Sequence, residues 1–156
     1  MPNSRGFTLI ELLVVLVILG VVVSSIALSL PATPRWQAPA EIDAWRRQAL
    51  RASRLSDSDG QSYAWLVESQ QARLQLRLPE GWVSANPPDH EIRPLAGVAS
   101  LSQLEIDGQP RPPGSRIVFR SGQPPLFKLE LAEPAGRRWR IEGLASGRIA
   151  LSEVRP

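Results

Sequence analysis

Few side chains of this 156-residue chain could do chemistry, and those few are scattered. The single histidine, His90, stands in Asp89-His90-Glu91 within a proline-rich stretch, and there is no cysteine. One imidazole and no thiolate exclude most transition-metal sites and most nucleophile–base pairs. Three adjacent polar residues in a loop read first as a solvated turn. Asp57, Asp59 and Glu68 have the spacing of the first, third and closing ligands of a calcium loop. The glycine such a loop requires at its sixth position comes early, at Gly60, and Ser62 stands in its place. No Gly-rich phosphate loop and no Gly-x-Ser-x-Gly elbow is present. The expectation is therefore a protein that is not an enzyme, with no metal, no cofactor and no small-molecule substrate.

What remains is charge. Gly136-Arg137-Arg138-Trp139-Arg140, with Arg148 and Arg155, sets guanidinium groups beside an indole, which suits phosphate contacts and base stacking. The same alternation also reads as arginines on an edge strand, facing water and blocking further pairing. A net charge of +3, from 17 arginines and Lys128 against 15 acids spread along the chain, does not by itself mark a nucleic-acid binder. Glu11 carries more information. It is the only ionisable side chain between Phe7 and Leu30, in a run otherwise rich in Leu, Ile and Val. A carboxylate costs about 2.5–3.5 kcal/mol at mid-bilayer and less toward the edge, so Glu11 implies a partner.

The elements that must position these residues divide the chain. As a helix at 1.5 Å per residue, residues 7–30 would be about 36 Å long, enough to cross a hydrocarbon core of about 30 Å. Arg5 and the basic N-terminus place the short tail on the cytoplasmic side. The run is longer than the apolar stretch of a secretory signal peptide, although small residues near Ser25–Ala27 resemble a cleavage site. A plain membrane anchor would leave Glu11 without a purpose. Gly20, Ser24 and Ser25 allow close helix approach, and Pro31, Pro34 and Pro39 break or kink the helix beyond residue 30.

From Ala40 to Leu55 the pattern is helical again. Ile42, Trp45, Ala49 and Ala52 make one apolar stripe, and Arg46, Arg47, Arg51 and Arg54 make a solvated face. Ser56-Asp57-Ser58-Asp59-Gly60 reads as the stop. Short strands follow at Ser62–Glu68, Arg73–Leu78, Leu104–Ile106, Arg116–Phe119, Leu126–Leu131, Arg138–Glu142 and Arg148–Ser152, with a long connection from Pro79 to Ser100. A helix followed by antiparallel strands is an α+β order: a long N-terminal hydrophobic helix, broken near the prolines, then a helix packed on antiparallel sheet. Trp45, Trp65 and Trp139 are core candidates, whereas Trp36 and Trp82, next to breaks, suit contacts with partners.

Arg5-Gly6-Phe7-Thr8-Leu9-Ile10-Glu11 resembles the prepilin signature of type IV pilins and type II secretion pseudopilins. The resemblance covers Arg5 to Leu30. It implies cleavage by an inner-membrane prepilin peptidase between Gly6 and Phe7, N-methylation of Phe7, and pairing of Glu11 with the N-terminal amine of a neighbouring subunit during assembly. Opposite charges that are each expensive in an apolar bundle become tolerable together. The domains implied are a leader (1–6), a transmembrane and filament-core helix (7–30), a proline-rich break (31–39) and a periplasmic domain (40–156).

A narrower resemblance lies in the tail. Ile117-Val118-Phe119, Phe127-Lys128-Leu129-Glu130-Leu131, Trp139-Arg140-Ile141 and Gly147-Arg148-Ile149 are similar to the C-terminal half of the GspH-type pseudopilin domain. Arg120-Ser121-Gly122 stands where that family often has Pro-Asp-Gly. This resemblance implies a minor pseudopilin of a type II secretion system. Such a subunit is held in the inner membrane, partners with the other minor and the major pseudopilins, and joins the periplasmic pseudopilus near its tip to help export folded proteins. The alternative it leaves open is a minor pilin of a type IV pilus that binds DNA through Arg137, Arg138 and Arg140.

Overall fold

The computed structural model describes residues 9–10, 12–19, 38–85 and 92–154. The chain divides into two compact units, residues 1–34 and 35–156. In the first, the described residues are helical.

The second unit begins with helix α1, Ala38–Asp59. Pro39 sits in its first turn, where a missing N–H leaves no bond unmade, and Glu41 lies close to the positive end of the helix dipole. The buried positions Ala38, Ile42, Trp45, Ala49, Ala52 and Ser56 recur every three or four residues, so the expected stripe is the packing face. The expected stop is not at Ser56. The helix runs four residues further because Ser56 is buried and its Oγ donates to the Ser53 carbonyl (2.8 Å), while Ser58 Oγ donates to that of Leu55 (3.0 Å). Gly60 ends it with φ +70° and its N–H on the Ser56 carbonyl (3.1 Å), a left-handed C-terminal cap.

Among the described residues ten strands follow: β1 (Tyr63–Val67), β2 (Gln71–Leu78), β3 (Gly81–Ser84), β4 (Arg93–Pro94), β5 (Ser100–Ile106), β6 (Gln109–Pro110), β7 (Ser115–Phe119), β8 (Phe127–Ala132), β9 (Arg138–Gly143) and β10 (Ile149–Val154). They form two antiparallel sheets, one ordered β3-β2-β1-β7 with β4 also on β2, the other β10-β9-β8-β5-β6. The α+β class expected from the sequence is the class observed.

Among its described residues, the connection expected from Pro79 to Ser100 contains two strands. β3 pairs with one half of β2 and β4 with the other, and Leu95, Val98 and Ala99 are buried. β6 is also additional: Asp107 (φ 53°) and Gly108 (φ 72°) both adopt positive φ, the hairpin turn that Asp-Gly favours.

Four aromatic rings join helix and sheets. Trp45 of α1 meets Trp65 of β1 edge-on at 5.8 Å, Trp65 meets Phe127 of β8 at 6.0 Å, and Phe127 meets Phe119 of β7 at 6.3 Å. Edge-to-face contacts at this spacing are favourable beyond area burial. Both indoles of the first pair are satisfied, Trp45 Nε1–H by the Arg93 carbonyl and Trp65 Nε1–H by Gln48 Oε1, each at 2.9 Å. Trp45 and Trp65 are fully buried as expected, and Trp139 is partly buried against the same core.

Candidate functional site

Gly6, Phe7 and Glu11, the residues tied to processing and assembly, lie outside the described residues, as do Trp36, the prolines 31 and 34, and Asp89-His90-Glu91. What is described beside them is an apolar helical stretch. From Leu12 to Leu19 every side chain is between 49% and 61% exposed. A stretch apolar on all sides has no polar face to give to water, so it is built to be covered by lipid or by other helices. Among the described residues no helix is long and apolar enough to cross a membrane.

Arg138 and Arg140 are not on an edge strand. β9 lies between β8 and β10, so the edge-blocking role is corrected: Arg138 and Arg140 sit in the interior of the sheet on its outward face. Arg140 donates through Nε (3.1 Å) and Nη2 (2.8 Å) to Glu130 on the adjacent strand, and Glu142 stands 3.8 Å away. The hydrogen bond to Glu130 raises the Arg140 pKa above its ordinary value. Arg137 donates to Glu133 through Nε (3.2 Å) and Nη2 (3.0 Å), and its guanidinium lies 6.0 Å from the Trp139 ring. Trp139 Nε1–H also donates to Glu133, at 2.6 Å. Glu133, only 7% exposed, thus ties the β8–β9 turn together. Arg138 and Arg148 are exposed, and Arg155 lies outside the described residues. The face carrying Arg140 also carries Glu105, Lys128, Glu130 and Glu142, and its signs alternate. Such a surface does not concentrate the positive potential that a phosphate backbone requires.

The calcium-like residues serve the fold. Asp57 accepts from the Gly122 N–H (3.3 Å), and Asp59 accepts from the Gln61 N–H (2.9 Å) and the Tyr63 hydroxyl (2.7 Å). Glu68 accepts from Gln71 Nε2, with Arg73 at 3.6 Å. Among the described residues no group of three or more His, Cys, Asp or Glu side chains could hold a metal ion. Trp82, on β3 at the sheet edge, is half-buried with the Arg77 guanidinium 5.5 Å over its ring.

Sequence reasoning missed a groove along α1. Arg46, Arg47, Arg51 and Arg54 of the helix and Arg93 of β4 line a depression of about 800 Å³, with Ala44, Leu50, Leu55 and Leu74 also on its wall. The arginines were legible as a helical face, but the strand that adds Arg93 was hidden in the long connection.

Residues 1–27 match the family model described as the prokaryotic N-terminal methylation motif. The fold over about three quarters of the chain is similar to that of the minor pseudopilin EpsH from the type II secretion system of Vibrio cholerae. One crystal structure of it superposes with a TM-score of 0.59 at 14% identity, over 76% of this chain and 95% of that one. The chain joins an N-terminal methylation motif to a domain whose fold is similar to that of a minor pseudopilin. A second structure of EpsH gives a TM-score of 0.57 at 15% identity, covering 74% of this chain and 96% of that one. No curated protein sequence matches the chain. The tail segments named for their GspH-type resemblance are β7, β8, β9 and the start of β10 of this pseudopilin fold, and Gly122 and Gly147 adopt positive φ in its turns.

Proposed function

We propose that the chain is a minor pseudopilin, a structural subunit anchored in the inner membrane by its N-terminal helix, with the α+β domain in the periplasm. The observation that carries this reading is the coexistence of the N-terminal methylation motif in residues 1–27 with a pseudopilin-fold domain downstream of it. Prepilin peptidase cuts after Gly6, Phe7 becomes the methylated N-terminus, and the apolar helix moves from lipid into a helical filament core. In that core Glu11 offers its carboxylate to the terminal amine of a neighbour, because neither charge is tolerable alone in a low-dielectric bundle. The subunit joins the other minor pseudopilins and the major one near the pseudopilus tip, where the filament helps export folded proteins.

The test separates processing from assembly. Gly6→Ala is expected to leave the full-length chain uncut, read as the intact mass of the membrane-extracted protein. Glu11→Ala is expected to be cut and methylated normally but to be depleted from sheared filaments by about tenfold, in keeping with a loss of 1.4 kcal/mol or more from a buried ion pair. Normal incorporation of Glu11→Ala would remove the pairing role, and normal processing of Gly6→Ala would overturn the prepilin reading itself.

A further inference from the structure

One face of the first sheet packs on α1, and neither cleavage at Gly6 nor the Glu11 pairing calls on the opposite face. Trp65 of β1 meets Trp45 of the helix, so strand alternation turns Ala64 and Leu66 the other way. Register fixes their neighbours. Leu66 lies between Arg73 of β2 and Arg116 of β7, and Ala64 lies between Gln75 and Val118. Further along, Arg77 pairs with Trp82 of β3, and Arg120 follows Val118 by the same period of two. Ala64, Leu66 and Gln75 are buried and Val118 is half-buried, while Arg77, Arg116 and Arg120 are exposed. The face is thus an apolar floor beneath long cationic side chains, whose stems can lie on it while their heads stay in water.

Among the described residues Arg77, Arg116 and Arg120 make no ion pair. Arg116 donates through Nε to the neutral amide oxygen of Gln75 (2.7 Å), and Arg77 lies over the Trp82 ring. Carboxylates stand at the borders: Glu68 at 3.6 Å from Arg73, Asp57 on the Gly122 N–H, and Glu80 in the turn between β2 and β3.

We propose that this face lies on anionic lipid headgroups, with Arg77, Arg116 and Arg120 on lipid phosphates and Trp82 at headgroup level. The inference rests on the reading that the N-terminal helix anchors the chain in a membrane. A tethered domain meets the bilayer at high effective concentration, so contacts too weak to capture a free protein suffice. Each arginine close to an anionic leaflet strengthens binding about fivefold. Guanidinium groups grip phosphate through paired N–H donors, and an indole suits the boundary between apolar and wet surroundings. A nucleic-acid strand stacks its bases on exposed rings, whereas Trp82 is half-buried with Arg77 over it.

The chain has no cysteine, so one introduced thiol carries a single nitroxide. Ser84, exposed on β3 opposite Gln75, reports this face, and Ser152, exposed on β10, reports the second sheet. The full chain is placed in phosphatidylcholine nanodiscs with or without phosphatidylglycerol. Collision of the nitroxide with nickel chelated on lipid headgroups is read by power-saturation EPR. With phosphatidylglycerol, the S84C label is expected to collide about fivefold or more as often as the S152C label. The excess is expected to shrink with added salt, without phosphatidylglycerol, and in R77E/R116E/R120E, where three attractions become repulsions. R137A/R138A/R140A is expected to keep it. A circular-dichroism melt within a few degrees of wild type confirms that each variant is folded. R120E alone and the salt titration of the unaltered chain are the second readings if the triple variant is not. A chain that enters the discs while S84C stays no closer to the headgroups than S152C overturns the proposal and leaves the anchor standing. A chain that does not enter the discs removes the anchor and the proposal with it. Equal contact in both lipid compositions, or contact unmoved by charge reversal, also overturns it. Displacement of the label from the headgroups by a dT oligonucleotide would overturn it in favour of a nucleic-acid face.

Discussion

Gly143 shows how closely single residues of this domain are specified. It pairs with Phe127 on one side and Ile149 on the other, and the Phe127 ring lies directly over its α-carbon. A methyl group there would run into that ring and come within 2.8 Å of the Pro125 carbonyl oxygen. Gly143→Ala is therefore expected to destabilise by about 1–3 kcal/mol, the usual range for overpacking, measured by denaturant unfolding. Tyr63 offers a pH signature. Burial, then its hydrogen bond to Asp59 and the charge of that carboxylate, raise its pKa to about 12. The unfolded phenol ionises near the ordinary tyrosine value of 10.0, so the contribution is complete below that pH and is lost as pH climbs toward about 12. Tyr63→Phe is expected to lose less stability than wild type between these limits, seen as a shallower fall in Tm.

At the scale of elements, Glu133 decides how β8 turns into β9. It takes two donors from Arg137 and one from Trp139, and it is almost wholly buried. Glu133→Ala removes the acceptor of the Trp139 indole N–H and two of the bonds made by Arg137, with an expected cost of about 1–3 kcal/mol in thermal or denaturant unfolding. Glu133→Gln keeps one acceptor and is expected to recover part of that loss. Helix α1 shows why an element boundary was misplaced. Ser-Asp-Ser-Asp is a turn composition, but burial of Ser56 against the sheets and serine bonds to earlier carbonyls keep those residues helical as far as Gly60. β3, β4 and β6 escaped for a different reason. They are two to four residues long, two of them contain proline, and pairing with β2 or β5, not any local pattern, makes them strands.

For the whole molecule, the distribution of charge separates two surfaces that look alike as lists of arginines. Arg140 sits among glutamates on a sheet face of mixed sign, while Arg46, Arg47, Arg51 and Arg54 of α1 line a groove together with Arg93. The full chain in detergent is accordingly expected not to retain duplex DNA through its C-terminal face even at low salt. A mobility shift abolished by R137A/R138A/R140A would restore the nucleic-acid alternative.

The sequence alone determined the features that depend on composition and order along the chain. The glycine, phenylalanine and glutamate before an uninterrupted apolar run carry their meaning locally, and the stripe of Ile42, Trp45, Ala49 and Ala52 needs only the period of a helix to be read. The α+β order and the main strand positions followed from the same local patterns. Only the tertiary structure decided which strands are interior, which carboxylate each arginine meets, and that Arg93 completes a groove with α1. These are matters of pairing between residues far apart in the chain, and side-chain periodicity reports the face a residue takes but not the neighbour it will find there.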